Sequence, residues 1–587
     1  MTIPALLSDQ VAQAFRAILG DSLPEGFCPV VSASQDLRFG DYQCNAAMIL
    51  AKQVKMNPRE LAGKVVEALR ASCSQAIPEI AGPGFINFRI NAAYYAERMK
   101  SMLGDERLGV PLAAEPKSIV IDFSAPNVAK PMHIGHIRST IIGDTLARLA
   151  RFMGHTVITD NHIGDWGTQF GMILWGWKHL LNQENLAKDP IETLLSVYKE
   201  VNKLCKESPD LLVDCKAELV KLQGGDPENL SIWKRCVSLT QSGLEKIYEQ
   251  LDIHFDYWLG ESFYNDALEP LVNDLLDKGI ARVSEGAVCV FSDGFHKPQQ
   301  DPFLVNKDGE WQPVPAIIRK ADGAFLYATT DLATLDYRIA HFNADSIWYV
   351  VGAPQDKHFK QIFDIERMRG VQGDFRHVAF GSILGHDRRP FKTRDGETVS
   401  LQDVIDEAIQ RATRVIEEKS PDMPADEKAR IARMVGVGAV KFAELSQNRL
   451  SDYIFDWDKM LALTGDTAPY LQNSYVRVKS IFRKLEEGEY APAAASPELS
   501  EDAEIHLARL LARYAEIVPS TLDDCRPNLL AAYLYELARA FHSFYEACPV
   551  LKSSGDTRTT RLSLCDLTAR VLKQGMGLLG IEMPDRM

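Results

Sequence analysis

The stretch SIVIDFSAPNVAKPMHIGHIRSTIIGDTLARLARFMGHTVITDNHI, residues 118–163, decides the fold. Its two ends, 118–124 and 155–163, are short apolar runs rich in β-branched residues, and both are predicted strands. Between them, residues 133–154 repeat apolar side chains with helical spacing up to Gly154. A strand, a helix and a strand in this order predict a parallel βαβ unit with a right-handed crossover.

Patterns on either side of this unit indicate further elements. The run SIWYVVG at 346–352 extends the sheet, and the polar, Lys- and Glu-rich stretch at about 178–250 is a helical insertion. Near the N-terminus, LAGKVVEAL at 61–69 has helical spacing and GFINFRI at 84–90 alternates as a strand does. From about residue 401 onward the pattern is almost entirely helical.

These patterns predict an α/β protein of three domains. We expect a Rossmann-like parallel-sheet domain at 113–455 with the helical insertion at about 178–250, an N-terminal α+β domain at 1–112, and a C-terminal all-α helical bundle at 456–587.

The composition is that of a globular protein, with 46% apolar and 25% charged residues in a chain of 587. A net charge of −15 excludes a uniformly basic nucleic-acid coat but allows a local basic patch. No apolar run of 18 residues is present and the first residues lack signal-peptide features, so we expect no membrane span. Ten scattered cysteines without a C-x-x-C spacing indicate reduced thiols, and we expect a cytoplasmic protein.

A candidate phosphate site lies at the start of the predicted helix. His133 and His136 are three residues apart and share one helix face, while Gly135 lets a ligand approach the backbone. The exposed N–H groups of a helix N-terminus attract phosphate, and Lys130 adds a full positive charge just ahead of it. On these residues alone a structural role stays open. A zinc site is disfavoured, because no further ligands have the required spacing.

The motifs quoted so far resemble one family. HIGH after a first strand is similar to the ATP motif of class I aminoacyl-tRNA synthetases, and APNVAKPMHIGHIRST followed by GDWGTQFG at 164–171 resembles the arginyl-tRNA synthetases. Further segments resemble that family in the same order along nearly the whole chain: FGDYQ (39–43), IAGPGFIN (80–87), FDYWLGESFY (255–264), LYATTDLA (326–333), GAPQDKHF (352–359), FGSILGHDRRPFKTRDGETVSL (380–401), TAPYLQ (467–472) and LLGIEMPDRM (578–587).

The resemblance implies an activity and its partners. Such an enzyme activates L-arginine with ATP and Mg²⁺, forms arginyl-adenylate and pyrophosphate, and passes arginine to the 3′-terminal adenosine of tRNA(Arg). The substrate's own carboxylate is the nucleophile, so the protein supplies positioning and charge stabilisation. The family also implies a monomer, and it implies that tRNA binds before activation proceeds.

The arginine pocket is expected around two acidic residues. A guanidinium presents five donors in a planar fork and needs carboxylates that accept in pairs. Tyr327 and Asp331 are four residues apart, so in a helix they project from one face. Without the resemblance, surface or capping acids remain an alternative for Asp331 and Glu261. The resemblance places arginine binding at Asn127, His133, Glu261, Tyr327, Asp331 and Gln355, with Asn127 on the α-amino end.

The second ATP-binding segment departs from the class pattern. Class I enzymes carry a K-M-S-K-S loop, and the matching stretch here is RRPFKTRDGE at 388–397, where Phe391 replaces the first lysine. Lys392 and Arg394 remain as cations, and the resemblance gives Lys130 a compensating role. Which of the three cations dominates stays open, and a solvated basic turn is the alternative for this stretch.

Two surfaces are expected to contact tRNA. The C-terminal bundle resembles an anticodon-binding domain, and single-stranded RNA is recognised by stacking on aromatic side chains. Tyr470 is the best candidate there, although Asn473 stands where the family often has a second tyrosine. The N-terminal domain resembles one that touches the outer corner of tRNA, with Phe39 and Gln43 as candidate contacts. Simple packing within that domain is the alternative for both.

Two other function classes fit part of the pattern. A small nucleotidyltransferase also uses an HIGH-like helix start, but it needs no long C-terminal bundle. A tRNA-binding protein that has lost catalysis would not need the intact HIGH motif or the set of Glu261, Asp331 and Gln355.

Overall fold

The structure is a computed structural model that describes residues 1–167, 169–385, 387–389, 399–486, 490–492 and 495–587. Helices dominate this part of the chain. None of the described helices combines the length and the apolar composition that crossing a bilayer requires.

The N-terminal part is an antiparallel sheet packed against helices. Its elements are α1 (Ile3–Leu19), β1 (Val31–Ala33), β2 (Tyr42–Cys44), α2 (Ala46–Val54), α3 (Pro58–Ser72), β3 (Ala76–Ala81), β4 (Phe85–Ile90) and α4 (Ala92–Leu103), with 3₁₀ turns at Gly20–Ser22 and Leu37–Phe39. The strand order is β1-β2-β4-β3. The run 61–69 lies inside α3 and 84–90 contains β4, so both local predictions are confirmed.

A four-stranded parallel sheet forms the centre of the chain. It contains β5 (Ser118–Asp122), β6 (Thr156–Asp160), β12 (Ser346–Tyr349) and β13 (Asp374–His377) in the order β13-β12-β5-β6. Helix α5 (Ile134–Phe152) joins β5 to β6, which confirms the predicted βαβ unit. The strand expected in 346–352 is β12, and it pairs with β5 and β13.

Both faces of this sheet are buried, as expected for parallel strands. Ile119 and Ile121 of β5 face one apolar cluster, which continues through α5 into the N-terminal and C-terminal parts. Val120, between them, faces a second cluster on the opposite side, together with Ile347 of β12. Period-two alternation within buried strands therefore ties the sheet to helices on both sides.

A helical segment follows β6. Helices α6 (Gln169–His179), α7 (Gln183–Lys188), α8 (Pro190–Glu207), α9 (Pro209–Gln223) and α10 (Pro227–Gln250) cover the stretch expected at about 178–250, and α6 begins earlier. Proline occupies the first position of three of them, where its missing N–H costs nothing. Asp189 and Asp226 accept hydrogen bonds from the free N–H groups at the starts of α8 and α10.

Small antiparallel sheets lie after the helical segment along the chain, and these were not predicted from the sequence. They follow a 3₁₀ turn at Glu261–Tyr264 and α11 (Asn265–Asp277). The strands are β7 (Ala281–Ser284), β8 (Ala287–Val290), β9 (Leu304–Lys307), β10 (Glu310–Pro313) and β11 (Ala316–Arg319). Next come α12 (Tyr327–Phe342), a 3₁₀ turn at Ala353–Gln355 and α13 (Asp356–Arg369). Helix α12 precedes the central strand β12, and α13 precedes β13.

The C-terminal part is helical, as predicted. Its elements are α14 (Leu401–Lys419), α15 (Ala425–Leu445), α16 (Trp457–Met460), α17 (Ala468–Phe482), α18 (Asp502–Asp523), α19 (Pro527–Ala547) and α20 (Gly555–Leu578), with one short parallel pair, β14 (Ile383–Leu384) and β15 (Tyr453–Ile454). Buried Arg138 of α5 pairs with buried Glu444 of α15, with Nε to Oε1 at 2.7 Å. This ion pair joins the first crossover helix to the C-terminal helices.

Candidate active site

The loop between β5 and α5 is held in an unusual backbone conformation. Ser124, Ala125 and Ala129 have φ values of 73°, 46° and 60°, which non-glycine residues seldom adopt. Hydrogen bonds hold the loop: the Ser124 N–H donates to Ser139 Oγ at 2.8 Å, and the Ala129 N–H donates to Thr240 Oγ1 at 3.1 Å. The loop therefore delivers the start of α5 to the carboxyl edge of the sheet, where α/β proteins bind ligands.

His133 and His136 cap the start of α5 reciprocally. Nδ1 of His133 accepts from the Gly135 N–H at 3.0 Å, and Nδ1 of His136 accepts from the His133 N–H at 3.1 Å. A neutral imidazole whose Nδ1 accepts must carry its proton on Nε2. Both rings therefore keep an Nε2–H donor free of the cap, and the ring centroids lie 4.0 Å apart.

Both imidazoles are neutral at physiological pH. Burial lowers the pKa of His136 to about 3, with a further contribution from His133. Burial, and then the charge of Lys130, lower the pKa of His133. The pair therefore presents two neutral donors at a helix N-terminus rather than two cations.

Gly135 is required by its neighbour. A Cβ at this position would lie 2.8 Å from Cε1 and 2.9 Å from Nδ1 of His133. Any side chain would push the His133 ring out of the cap. Close approach of a ligand was the reason expected from the sequence, and the capping ring is a second, independent one.

The structure describes Lys130 but not the two cations of the second ATP-binding segment. Lys130 is half-buried, and its Nζ lies 5.1 Å from the ring centroid of Tyr198 in α8. Lys392 and Arg394, expected as cations of the second ATP segment, lie outside the described residues. The chain that follows them is anchored at the site: the Ile134 N–H donates to the Val399 carbonyl at 3.0 Å, and the Leu401 N–H donates to the Met132 carbonyl at 2.9 Å.

Asp165 holds the turn that carries Glu261. The buried Asp165 carboxylate accepts from the Ser262 N–H at 2.8 Å and from Ser262 Oγ at 2.6 Å. A Cβ on Gly260 would lie 2.6 Å from that carboxylate, so the segments GDWGTQFG and FDYWLGESFY pack closely against each other here. Burial raises the pKa of Glu261; the charge of His162 opposes this shift, and the charges of Asp165 and Asp331 add to it, so these groups lie within electrostatic reach of Glu261.

Helix α12 supplies the other side of the pocket. Tyr327 is its first residue and is 68% exposed, and Asp331 lies one turn further along. Burial and then the charge of Glu261 raise the pKa of Tyr327. Glu261 therefore lies within electrostatic reach of both Tyr327 and Asp331. Asp331 Oδ2 also accepts from His358 Nε2 at 2.5 Å.

The two remaining candidates lie at the edges of this space. Asn127 is exposed on the loop after β5, and its Oδ1 lies 2.3 Å from the position that a Cβ on Gly164 would take. Gln355 is exposed and ends the 3₁₀ turn before α13. Both stand near elements of the site, but no hydrogen bond within the described chain ties their side chains to the acidic pair.

A buried ion triad ties α12 to the central sheet. Arg338, fully buried, donates through Nη2 to Asp122 Oδ2 at 2.6 Å and to Asp160 Oδ2 at 2.8 Å. These aspartates end β5 and β6, and Leu259 N–H donates to Asp160 Oδ1 at 3.1 Å. The triad therefore links Asp331's helix, the carboxyl edge of the sheet and the segment that leads to Glu261.

Sequence reasoning missed three supporting residues: Asp165, Arg338 and His358. All three carried a local signal. Arg338 is a charged residue on the face of α12 that also holds Thr334 and Leu335, seven positions after Asp331. Asp165 and His358 lie inside motifs that the sequence had singled out.

The candidate tRNA contacts lie on two separate surfaces. Phe39 is 55% exposed beside β2, where Gln43 is half-buried. Tyr470 is half-buried in α17, and its ring centroid lies 5.5 Å from those of both Tyr535 and His542 in α19. The structure thus places Tyr470 in an aromatic group at the surface of the C-terminal bundle.

Three family models match the chain, each over a separate stretch. The model for tRNA synthetases class I (R), catalytic domain, matches 98–457; the DALR anticodon binding domain matches 471–587; and the arginyl tRNA synthetase N terminal domain matches 5–90. The first match covers more than half of the chain. Together with the parallel sheet and the capped helix start, it places the chain among the class I aminoacyl-tRNA synthetases.

Relatives that match over the full length of the chain identify the family within this class. The arginine–tRNA ligase of Citrobacter koseri is 44% identical over 593 aligned residues, with both sequences covered in full. The crystal structure of arginyl-tRNA synthetase from Plasmodium falciparum superimposes with a TM-score of 0.84 at 27% identity, over 100% of both chains. The Thermus thermophilus enzyme, with a TM-score of 0.82 at 22% identity over 100% of both chains, supports the fold alone.

The chain belongs to the arginyl-tRNA synthetase family. The ligation of arginine to tRNA and the use of ATP follow from this membership.

Proposed function

We propose that the chain forms arginyl-adenylate at the carboxyl edge of its parallel sheet, over the start of α5. The observation that carries this proposal is the reciprocal cap of His133 and His136, which leaves two neutral Nε2–H donors at a helix N-terminus. An oxygen of the arginine carboxylate attacks the α-phosphorus of ATP, the bond to the β-phosphate oxygen breaks, and pyrophosphate leaves. The two donors, Gly135 and Lys130 bind the phosphates and stabilise the charge that builds up.

Arginine is recognised by the acidic pair. Glu261 and Asp331 accept from the guanidinium, with Tyr327 and Gln355 beside them, while Asn127 binds the α-amino end and His133 also contacts the amino acid. Support comes from the electrostatics: burial and the charge of Asp331 raise the pKa of Glu261, and burial and the charge of Glu261 raise the pKa of Tyr327. Lysine would leave part of the carboxylate fork unpaired, and unpaired buried acceptors are costly.

Lys392 and Arg394 stabilise the leaving pyrophosphate together with Lys130. The backbone pairing of residues 399–401 with the start of α5 supports this role, because it ties the end of the basic stretch to the histidine pair. A cation near the leaving group balances charge in the transition state.

ATP is expected to arrive as its magnesium complex. Among the described residues, no group of three or more His, Cys, Asp and Glu side chains is arranged to hold a metal ion. Mg²⁺ is commonly held by substrate phosphates with one or two carboxylates. We therefore place the ion with the nucleotide and assign it no protein ligand.

The second step transfers arginine to tRNA(Arg). The 2′-hydroxyl of the terminal adenosine attacks the adenylate carbonyl, the bond to the phosphate oxygen breaks, and AMP leaves. Tyr470 of the domain proposed at 456–587 contacts the anticodon loop, and Phe39 and Gln43 of the domain proposed at 1–112 contact the outer corner of tRNA. Binding of tRNA precedes activation, and we expect a cytoplasmic monomer.

The test is a charging assay with purified chain, ATP, tRNA(Arg) and each amino acid in turn. Attachment of arginine alone, with pyrophosphate exchange that depends on added tRNA, is the expected result. Charging by another amino acid, or no charging at all, would contradict the assignment. Sedimentation of the free chain at the monomer mass of 65.5 kDa tests the oligomeric state.

A further inference from the structure

The carboxylate of Asp331 has one neighbour that the proposed arginine contacts do not include. His358, the third residue of α13, donates from Nε2 to Oδ2 of Asp331 at 2.5 Å. The Asp331 and His358 side chains are only 19% and 25% exposed. A carboxylate accepts hydrogen bonds and does not donate them, so Nε2 of His358 carries the proton.

This contact occupies one carboxylate oxygen of Asp331, Oδ2, and leaves the other. No other donor in the described chain bonds to the Asp331 carboxylate, so Oδ1 stays available as an acceptor. Without His358, Asp331 could rotate about its side-chain bonds, and the charge of Glu261 would repel it from the shared space. A charge-assisted hydrogen bond from a different helix restricts that rotation.

We propose that His358 is a positioning residue for arginine recognition, which holds Oδ2 of Asp331 so that Oδ1 meets the guanidinium. The inference rests on the proposed role of Asp331. His358 itself does not touch the substrate, and it acts through the orientation of one carboxylate on α12. The contact also joins the first turn of α13 to α12, so recognition depends on how these two helices pack.

The role predicts a separation of kinetic constants. His358→Leu should raise KM for arginine about tenfold in tRNA-dependent pyrophosphate exchange, the cost of one charge-assisted hydrogen bond. The kcat value and KM for ATP should stay near those of the parent. His358→Gln, whose amide N–H reaches a similar distance, should restore most of the affinity. His341→Leu is the matched control, because His341 is exposed on α12 and stacks on Tyr337 at 4.0 Å.

A double-variant cycle with Asp331→Asn decides between this role and a general structural one. If His358 acts through Asp331, the double variant H358L/D331N should have the same KM for arginine as D331N. Additive effects, or an unchanged KM in H358L beside a raised KM in D331N, would overturn the role of His358 and leave the proposed pocket intact. An unchanged KM in D331N would overturn both. If H358L does not fold, His358→Asn, too short to reach Asp331, replaces it with the same expected rise.

Discussion

At the scale of single residues, the chemistry depends on which nitrogen of each histidine is free. The backbone N–H groups of His133 and Gly135 occupy Nδ1 of His136 and His133, respectively. Helix capping and phosphate binding therefore use opposite sides of the same two rings. The helix start can therefore present neutral imidazole donors, because its own backbone N–H groups bond to the other nitrogen of each ring.

Replacing His136 should separate these two uses. We expect His136→Ala to lower kcat for pyrophosphate exchange by about 10²–10³, the loss typical of one transition-state donor. His136→Asn should lose less, because an amide offers both an acceptor and a donor. Steady-state pyrophosphate exchange measures both, and equal kcat values for H136A and the parent would contradict the donor role.

The buried imidazole should also make stability depend on pH. The folded pKa of His136 is about 3, while an unfolded histidine titrates near 6.5, so the unfolded chain binds more protons between these values. Stability is therefore fully present above pH 6.5 and falls as the pH drops toward 3. His136→Asn, which cannot titrate, should lose less Tm between pH 6.5 and 4.5. Thermal melting across this range is the measurement, and parallel curves for both proteins would argue against the assignment.

At the scale of secondary-structure elements, the pocket is a junction of distant segments. Arg338 ties α12 to the ends of β5 and β6 through Asp122 and Asp160. Asp165 ties the loop after β6 to the turn that carries Glu261. The Arg338 link is buried and has charges on both sides, so removal of one partner leaves an uncompensated charge.

Arg338→Met should therefore destabilise the chain by about 3–5 kcal/mol. It should also raise KM for arginine, because Asp331 and Tyr327 lie on the same helix. Urea unfolding and arginine-dependent exchange report the two effects. Lys360→Met is the control: its ion pair with Asp356 is exposed and worth less than about 0.5 kcal/mol. A loss no larger for R338M than for K360M would show that the triad does not support α12.

At the scale of the whole molecule, the FGDYQ motif joins the N-terminal part of the chain to the C-terminal helices. Buried Asp41 pairs with Arg509 of α18 at 2.6 Å, and the Tyr42 hydroxyl donates to Glu516 at 2.6 Å. Phe39 of the same motif stays exposed. The middle of the motif therefore packs against α18 of the C-terminal part, while its first residue, Phe39, stays exposed.

Loosening this contact should affect tRNA and spare the small substrates. Tyr42→Phe removes the donor to Glu516, a carboxyl whose pKa burial raises to about 7. We expect KM for tRNA to rise about three- to tenfold, the cost of one ordinary hydrogen bond. KM for arginine and ATP should stay unchanged. Tyr94→Phe, at a half-buried tyrosine of α4, is the control. Charging kinetics measure the split, and an equal rise for all three substrates would contradict it.

Local patterns and non-local contacts differ in how well the sequence reveals them. The crossover helix, its histidine start and the strands β5, β6 and β12 follow from residues close together in the chain. The contact of Asp165 with Ser262 joins positions 97 apart, and that of Arg338 with Asp122 joins positions 216 apart. No periodicity encodes such pairs, because their residues are far apart in the sequence and meet only in the folded chain.

The most direct test of the account is a structure of the chain with tRNA(Arg) and a non-hydrolysable arginyl-adenylate analogue. The account predicts that the phosphate-equivalent oxygens lie within about 3.2 Å of Nε2 of His133 and His136, and that the guanidinium lies between Glu261 and Oδ1 of Asp331. An analogue bound elsewhere, or a guanidinium directed away from both carboxylates, would contradict it.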